Sequence, residues 1–219
     1  MSDEDWPEIR KLIEGQGIEL GPYFGHQIRN SPRHFLFTLS RYKFAARILP
    51  QDRAIRVLEI GCSEGIGTLM LGELGHTVTA VDADEQAIAH AQKVINKRNL
   101  TFVSGDFIGQ KLGTFDAAVS LDVIEHIDRK DEAAFIETIK ENLTREGLCI
   151  IGTPNDSAAQ YASKASQIGH INMFSAERLT KLMRKHFIHV FMFGMNDEVV
   201  HTGFYPMCHY LMAVACIPR

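Results

Sequence analysis

Two stretches of this chain gather side chains that can do chemistry. Asp122-Val-Ile-Glu125-His126 packs two carboxylates and an imidazole into five residues. On a single helical turn these groups face one small volume, as a site that takes a proton from a reacting group requires. His170, in Gly169-His170-Ile-Asn172, can add a second imidazole from a later loop. The other stretch is Val57-Leu-Glu59-Ile-Gly61-Cys-Ser63-Glu-Gly65-Ile-Gly67. Here a short apolar run enters a glycine-rich turn. Gly61 permits the tight bend, and Ser63 and Gly65 are small enough for a ligand to approach the backbone. Glu59 lies between apolar neighbours in what reads as a buried strand, so its carboxylate needs a partner.

The segments that must position these residues alternate between strand-like and helix-like runs. Strands are expected at 56–60, 77–82, 100–104, 114–120 and 148–153. Helices are expected at 65–74, at 84–97 with Asp84 as N-cap, and at 130–143, where Ala133, Ile136, Ile139 and Leu143 recur at helical spacing. Such alternation predicts a doubly wound α/β fold, a mostly parallel Rossmann-like sheet with helices on both faces. The tail differs. Ser175 caps a helix to about His186, and the runs 189–194 and 209–217 follow with no helix between them, so these two strands pair antiparallel. Seven strands are expected in all. Ahead of the sheet, Ser31-Pro32 opens a helix to about Leu49, with Phe35, Leu39, Tyr42, Ala46 and Leu49 on one face. The reading is a single domain over 1–219, with a helical lid at 1–53 and the core at 54–219.

Composition narrows the class. At 219 residues, 45% hydrophobic and 23% charged, the chain has the make-up of one soluble globular domain. Its formal net charge of −4 gives no whole-surface attraction to nucleic acid or membrane, and neither is an expected partner. Cys62, Cys149, Cys208 and Cys216 form no CxxC pair and read as free thiols of a reducing compartment. The acidic, polar N-terminus is no secretory signal, and no apolar stretch is long enough to span a membrane, so a cytoplasmic location is expected.

The glycine-rich turn admits three readings. A dehydrogenase fingerprint needs GxGxxG, and Ser63 and Ile66 break it twice. A nucleophile elbow needs GxSxG, which Gly61-Cys-Ser63-Glu-Gly65 fits; Ser63, Asp122 and His170 even follow a hydrolase triad's chain order. That elbow normally comes after several strands, whereas the segment before Arg56 looks mostly helical. Third, Glu59-x-Gly61-x-Ser63-x-Gly65 resembles the first motif of class I S-adenosylmethionine (SAM)-dependent methyltransferases, with Ser63 at the middle glycine.

Later segments support that resemblance in order and spacing. Asp82 closes the second strand, where an acid can accept both ribose hydroxyls. Ser104-Gly105-Asp106-Phe107 closes the third, where the family places an acid near the adenine amino group and an apolar residue against the ring. The stretches 115–126 and 147–155 resemble the fourth- and fifth-strand motifs. The resemblance implies that Glu59 helps hold the methionine amino group. It implies a cofactor site of Glu59, Gly61, Ser63, Gly65, Asp82, Ala83, Gly105, Asp106, Phe107 and Leu121. Asp84 and Asp116 read as a cap and a solvated strand end.

Methyl transfer is an in-line displacement, so the protein aligns acceptor and methyl and manages the acceptor proton. Asp122, Glu125, His126 and His170 are the expected catalytic groups. The same four resemble the divalent-metal site of small-RNA 2′-O-methyltransferases, with Asp122 where those enzymes have Glu; ubiquinone-pathway O-methyltransferases have something similar. That likeness implies Mn, Mg or Fe, and two imidazoles favour Mn, Fe or Zn over Mg. The adenine-methylating signature Asn-Pro-Pro-Tyr is absent, and Thr153-Pro154-Asn155 stands on the wrong strand for it.

The stretch 24–56 carries Arg29, Arg33, Arg41, Lys43, Arg47, Arg53 and Arg56 against Asp52 alone. In the lid, such a cluster can hold an anionic acceptor, with Arg29 and Arg33 before the helix as anchors; as a solvated helix face it holds nothing. The expected activity is O-methylation, ahead of N-methylation, of a small or medium polar acceptor such as a sugar or phosphorylated metabolite. A ubiquinone-type phenol is the second acceptor class. A non-catalytic SAM-binding module and a Ser63 hydrolase are the readings of other classes.

Overall fold

The computed structural model describes residues 5–219. Three helices come first: α1 (Asp5–Ile13), α2 (Pro22–Asn30) and α3 (Pro32–Ile48). The sheet layers follow as β1 (Arg56–Ile60), α4 (Ile66–Leu71), β2 (Thr77–Asp82), α5 (Glu85–Val94), β3 (Leu100–Ser104), β4 (Phe115–Leu121), α6 (Glu132–Glu141) and β5 (Leu143–Pro154). The tail is α7 (Lys164–Gly169), α8 (Ala176–His186), β6 (Phe187–Asn196), β7 (Val199–His201) and β8 (Tyr210–Pro218).

One sheet takes all eight strands in the order β3-β2-β1-β4-β5-β8-β6-β7. The first five run parallel. β8 lies antiparallel between β5 and β6, as the helix-free tail predicts. The expected count of seven falls short by β7. This three-residue strand pairs with the end of β6 between the two tail strands expected at 189–194 and 209–217, and it is too short to show alternation in sequence. Chain order reverses between β1 and β4, so their carboxyl ends part into a crevice, where ligands of open α/β sheets bind.

Alternation along the strands feeds two cores. Leu58, Ile60 and Ala118 face α6 and α8, whose Phe135, Ile136, Ile139, Leu179 and Met183 are buried against them. Val57, Val78, Ala117 and Ile150 face the other way, toward Tyr42, Ala45 and Leu49 of the α3 segment and Leu71 of α4. The caps read from sequence hold for two helices. Asp84 accepts from the N–H groups of Gln86 and Ala87, and Ser175 accepts from Arg178. Ser31 does precede α3, but its hydroxyl makes no capping bond.

The inward face of α3 differs from the expected stripe. Thr38, Tyr42, Ala45 and Leu49 are buried, whereas Phe35, Leu39 and Ala46 are only half-buried. The buried face is shifted by about one residue toward Arg41, which finds a carboxylate partner in Asp122 just beyond β4, while Tyr42, common to both faces, reaches Glu59. Among the described residues, no helix is long and apolar enough to cross a membrane. The four cysteines are free.

Leu179 is wholly buried where α8 meets the sheet. Truncation there leaves a cavity in close-packed surroundings. Leu179→Ala is expected to cost about 2–5 kcal/mol of unfolding free energy, read as a lower urea midpoint at unchanged slope.

Candidate functional site

β1 releases its chain through a turn in which Gly61, Ser63 and Gly65 have φ of +81°, +48° and +80°. Two glycines take that conformation without strain, and Ser63 is held in it from next door. The Asp82 carboxylate, at the end of β2, accepts from the Ser63 N–H at 2.7 Å and from the Asp84 N–H at 2.9 Å. Beside this turn lies a cavity of about 320 Å³. Gly61, Ser63, Asp82 and Ala83 line one part, and Gly105, Asp106 and Phe107 another. Ile60, Val81, Ile127 and Phe135 supply apolar wall between.

Seven of the ten expected cofactor residues therefore meet at one cavity. Three do not line it. Gly65 stands behind the turn, where a Cβ would be 2.7 Å from the Phe102 ring. Leu121 lines a second cavity instead. Glu59 lies beneath the floor, 1% exposed. Oε1 of Glu59 accepts from the Tyr42 hydroxyl at 2.8 Å, and among the described residues its Oε2 makes no hydrogen bond of good geometry. Burial raises the Glu59 pKa to about 7, outweighing the opposing effect of the Thr68 and Tyr42 hydroxyls.

These features fit SAM. A nucleoside needs apolar walls for its base and an acid for its ribose diol, and the cavity offers both. The unpartnered Oε2 of Glu59 is a buried acceptor at the base of the turn, suited to an ammonium group or its bound water.

The second cavity, of about 280 Å³, shares Gly61, Ser63, Asp122 and His126 with the first. Its other walls come from α2 (Tyr23, Phe24, Gln27), α3 (His34, Thr38, Arg41) and the segment carrying His170. Thus the two cavities meet at the expected catalytic stretch. His126 Nδ1 lies 2.8 Å from the Gly169 carbonyl oxygen. A carbonyl only accepts, so Nδ1 carries the proton in this contact, and Nε2 keeps its lone pair. The His126 and His170 rings meet edge to face, centroids 5.0 Å apart. Burial holds the His170 imidazole below its ordinary range, with His126 adding to the effect.

Asp122 and Glu125 part company. Arg41 places one guanidinium nitrogen 2.7 Å from both Asp122 oxygens and stacks 3.9 Å above the Tyr210 ring. Glu125 is fully buried and lines neither cavity. It accepts from the Thr153 hydroxyl at 3.0 Å, and its Oε1 has no hydrogen-bond partner among the described residues. Burial, and then the Asp122 charge, push its pKa up to about 8. Glu125, His126 and His170 offer ligand atoms all within 4.8 Å of one another. Asp122, expected as the fourth ligand, is outside this group because Arg41 holds it.

The hydrolase triad does not assemble. The Ser63 hydroxyl makes no hydrogen bond to His126 or His170 among the described residues, and Asp122 faces Arg41. Of the basic cluster, Arg41 alone reaches the cavity; Arg29, Arg33, Lys43, Arg47, Arg53 and Arg56 are exposed. Sequence reasoning placed Arg41 in a charged face and Tyr42 in an apolar one, and so missed both contacts. It also missed Gln27 and His34, whose lining role follows only from how α2 and α3 pack. An arginine beside a tyrosine on a helix facing two strand-end acids was the available signal.

A sequence profile described as "Methyltransferase domain" matches residues 26–186. The chain belongs to this methyltransferase family, within the class I SAM-dependent superfamily. It is 32% identical over 106 residues to a ubiquinone biosynthesis O-methyltransferase of a Caulobacter species, covering 46% of this chain and 41% of that protein. It is 32% identical over 109 residues to a probable SAM-dependent methyltransferase of Mycobacterium tuberculosis, covering 50% and 39%. The match thus spans about two-fifths of these relatives' length. Among solved structures, the N-methyltransferase NodS of Bradyrhizobium japonicum, bound to S-adenosylhomocysteine, aligns with TM-score 0.62 at 20% identity, over 84% of this chain and 88% of that one. A TehB-like methyltransferase of Corynebacterium glutamicum aligns with TM-score 0.64 at 16% identity, over 99% and 97%. These two likenesses show the fold.

Two measurements test the site. Asp82→Ala removes a charged acceptor from the ribose position and should weaken S-adenosylhomocysteine binding by about 3 kcal/mol in calorimetry. The second concerns the unliganded protein. Glu59 keeps its proton to about pH 7 when folded but loses it near 4.5 when unfolded. Its contribution is thus fully present below pH 4.5 and is lost as pH rises toward 7. Glu59→Gln should flatten that decline by about 3 kcal/mol, measured as urea stability at pH 4.5 and 7.5.

Proposed function

We propose that this protein transfers the methyl group of SAM to a hydroxyl oxygen of a small polar acceptor, with His126 as the general base. The observation that carries this reading is the place of His126: it stands in the wall common to both cavities, with Nδ1 engaged by the Gly169 carbonyl. The cofactor, in the first cavity, supplies an electrophilic methyl on sulfonium. An acceptor in the second cavity directs its hydroxyl oxygen at that methyl. The new O–C bond forms as the S–C bond breaks, and the hydroxyl proton passes to His126 Nε2. The products are a methyl ether and S-adenosylhomocysteine, and His126 returns its proton to solvent.

The acceptor wall is mixed. Phe24, Leu121 and Pro154 are apolar, while Gln27, Thr38 and Ser166 offer hydrogen bonds. This suits a hydroxylated ring, whether a sugar or a phenol of the kind named in the Caulobacter relative. An anionic acceptor would have to share Arg41 with Asp122, since Arg29 and Arg33 lie outside the cavity.

The Glu125–His126–His170 cluster favours a second reading of the same chemistry. A carboxylate and two imidazoles at this spacing suit a divalent ion such as Mn or Fe, which would lower the acceptor's pKa. One assay separates the two. Sugars, sugar phosphates, catechols and amines are offered with SAM, and S-adenosylhomocysteine release is followed with and without chelator. With His126 as base alone, turnover is indifferent to chelator, and His126→Gln lowers it by about 10²–10⁴ while S-adenosylhomocysteine affinity holds. Loss of turnover in chelator, restored by Mn, would establish the ion. Failure to methylate any hydroxyl while an amine is methylated would overturn O-transfer.

A further inference from the structure

Glu64 sits in the glycine-rich turn but lines neither cavity. Its side chain runs away from the turn to helix α2 and is 1% exposed. Helix α2 begins Gly21-Pro22, and Gly21 has no side chain with which to cap it. Pro22 has no N–H to satisfy, so Tyr23 and Phe24 carry the first unpaired donors of the helix. Glu64 meets both: Oε1 accepts from Tyr23 at 2.7 Å and Oε2 from Phe24 at 2.9 Å. The cap that the local sequence lacks comes from some forty residues away. Gly21 makes room for it, since a Cβ there would collide with the Glu64 carboxylate.

A second tie joins the same helix to the same turn. The Tyr23 hydroxyl donates to Asp84 at 2.8 Å, and the Asp84 N–H donates to Asp82. Asp82 also holds the N–H of Ser63, the residue before Glu64. The contacts close a ring: Asp82, Ser63, Glu64, α2, Tyr23, Asp84 and back to Asp82. Asp82 faces the cofactor cavity, and Tyr23, Phe24 and Gln27 of α2 face the acceptor cavity.

We infer that Glu64 is a positioning residue that couples the cofactor turn to the acceptor wall, so that a filled cofactor site holds α2 more firmly in the place it already takes. The inference rests on the SAM reading of the first cavity. A ligand gripping Asp82 immobilises Ser63 and Asp84, and with them both anchors of α2. Linkage makes the coupling reciprocal: whatever factor the cofactor adds to the closed position of α2, the intact latch adds to cofactor affinity.

Amide hydrogen exchange over residues 22–30, with and without S-adenosylhomocysteine, tests this alongside calorimetry on the same samples. In the wild type the ligand should slow exchange in α2 by about 10-fold. Glu64→Gln, whose amide can accept from only one of the two N–H groups, should leave α2 exchange indifferent to ligand. It should lose affinity by a similar factor, with strand β4 fully protected. Gly21→Ala breaks the latch from the other side, leaves the turn's sequence intact and should behave alike. The inference falls if saturating ligand leaves wild-type α2 exchange unchanged, or if both variants match the wild type in exchange and affinity. Absence of any binding by the wild type would instead strike the cofactor reading, and the coupling with it.

Discussion

The Asp82 carboxylate holds the site together before any ligand arrives. Parallel strands end with their last backbone groups unpaired, and here β1 leaves through a turn with three positive φ angles in five residues. A backbone bond from the Gly65 N–H to the Cys62 carbonyl closes that turn around Ser63, whose φ is +48°. Asp82 fixes Ser63 further from the neighbouring strand by accepting its N–H, and with its other oxygen accepts the N–H of Asp84, the cap of α5. One side chain thus sets the turn after β1 and the start of the helix after β2. Carboxylate hydrogen bonds to backbone N–H are among the stronger neutral-to-charged contacts. Lone pairs remain on both oxygens for a diol.

The lid helices settle on this frame through polar contacts buried to different depths. Tyr42 reaches the buried Glu59, Arg41 reaches the half-buried Asp122, and the start of α2 rests on Glu64. Each contact joins a lid side chain or backbone group to an acid at the carboxyl end of a parallel strand or in the turn beyond it. Removing one partner of such a pair leaves the other desolvated without compensation, so polar contacts of this kind set orientation more firmly than apolar packing does. The Arg41–Asp122 pair also lies on the side toward which α3 is shifted from its most apolar stripe.

The catalytic stretch shows how one short motif divides its labour. Asp122 has φ of +58°, which aims its carboxylate back toward α3 and Arg41. Glu125 points into the protein toward Thr153, and its backbone carbonyl accepts from Asn172. Asn172 in turn joins Glu132 and Arg178, whose guanidinium covers the Phe174 ring. This network fixes the segment that carries Gly169 and His170 above His126. His126, the member left facing the cavities, is oriented by a backbone carbonyl supplied by that segment.

Much of this was legible in the residues themselves. Strand–helix alternation, the glycine spacing after β1, and acids at the ends of β1, β2 and β3 follow from local backbone preference and from motif spacing, which depend on near neighbours in the chain. The strand 100–104 was read to its last residue, and the caps Asp84 and Ser175 were read correctly, for that reason. Only the tertiary structure decided the partners. That Asp122 pairs with Arg41, 81 positions away, and that Glu64 caps a helix some forty positions earlier, leaves no periodic trace. The strand β7 and the lining role of Gln27 were hidden likewise, because a three-residue strand is defined by its partner and a cavity by the packing of distant elements. Residue type and spacing specify which groups can do chemistry; which of them face the same space depends on contacts made across the chain.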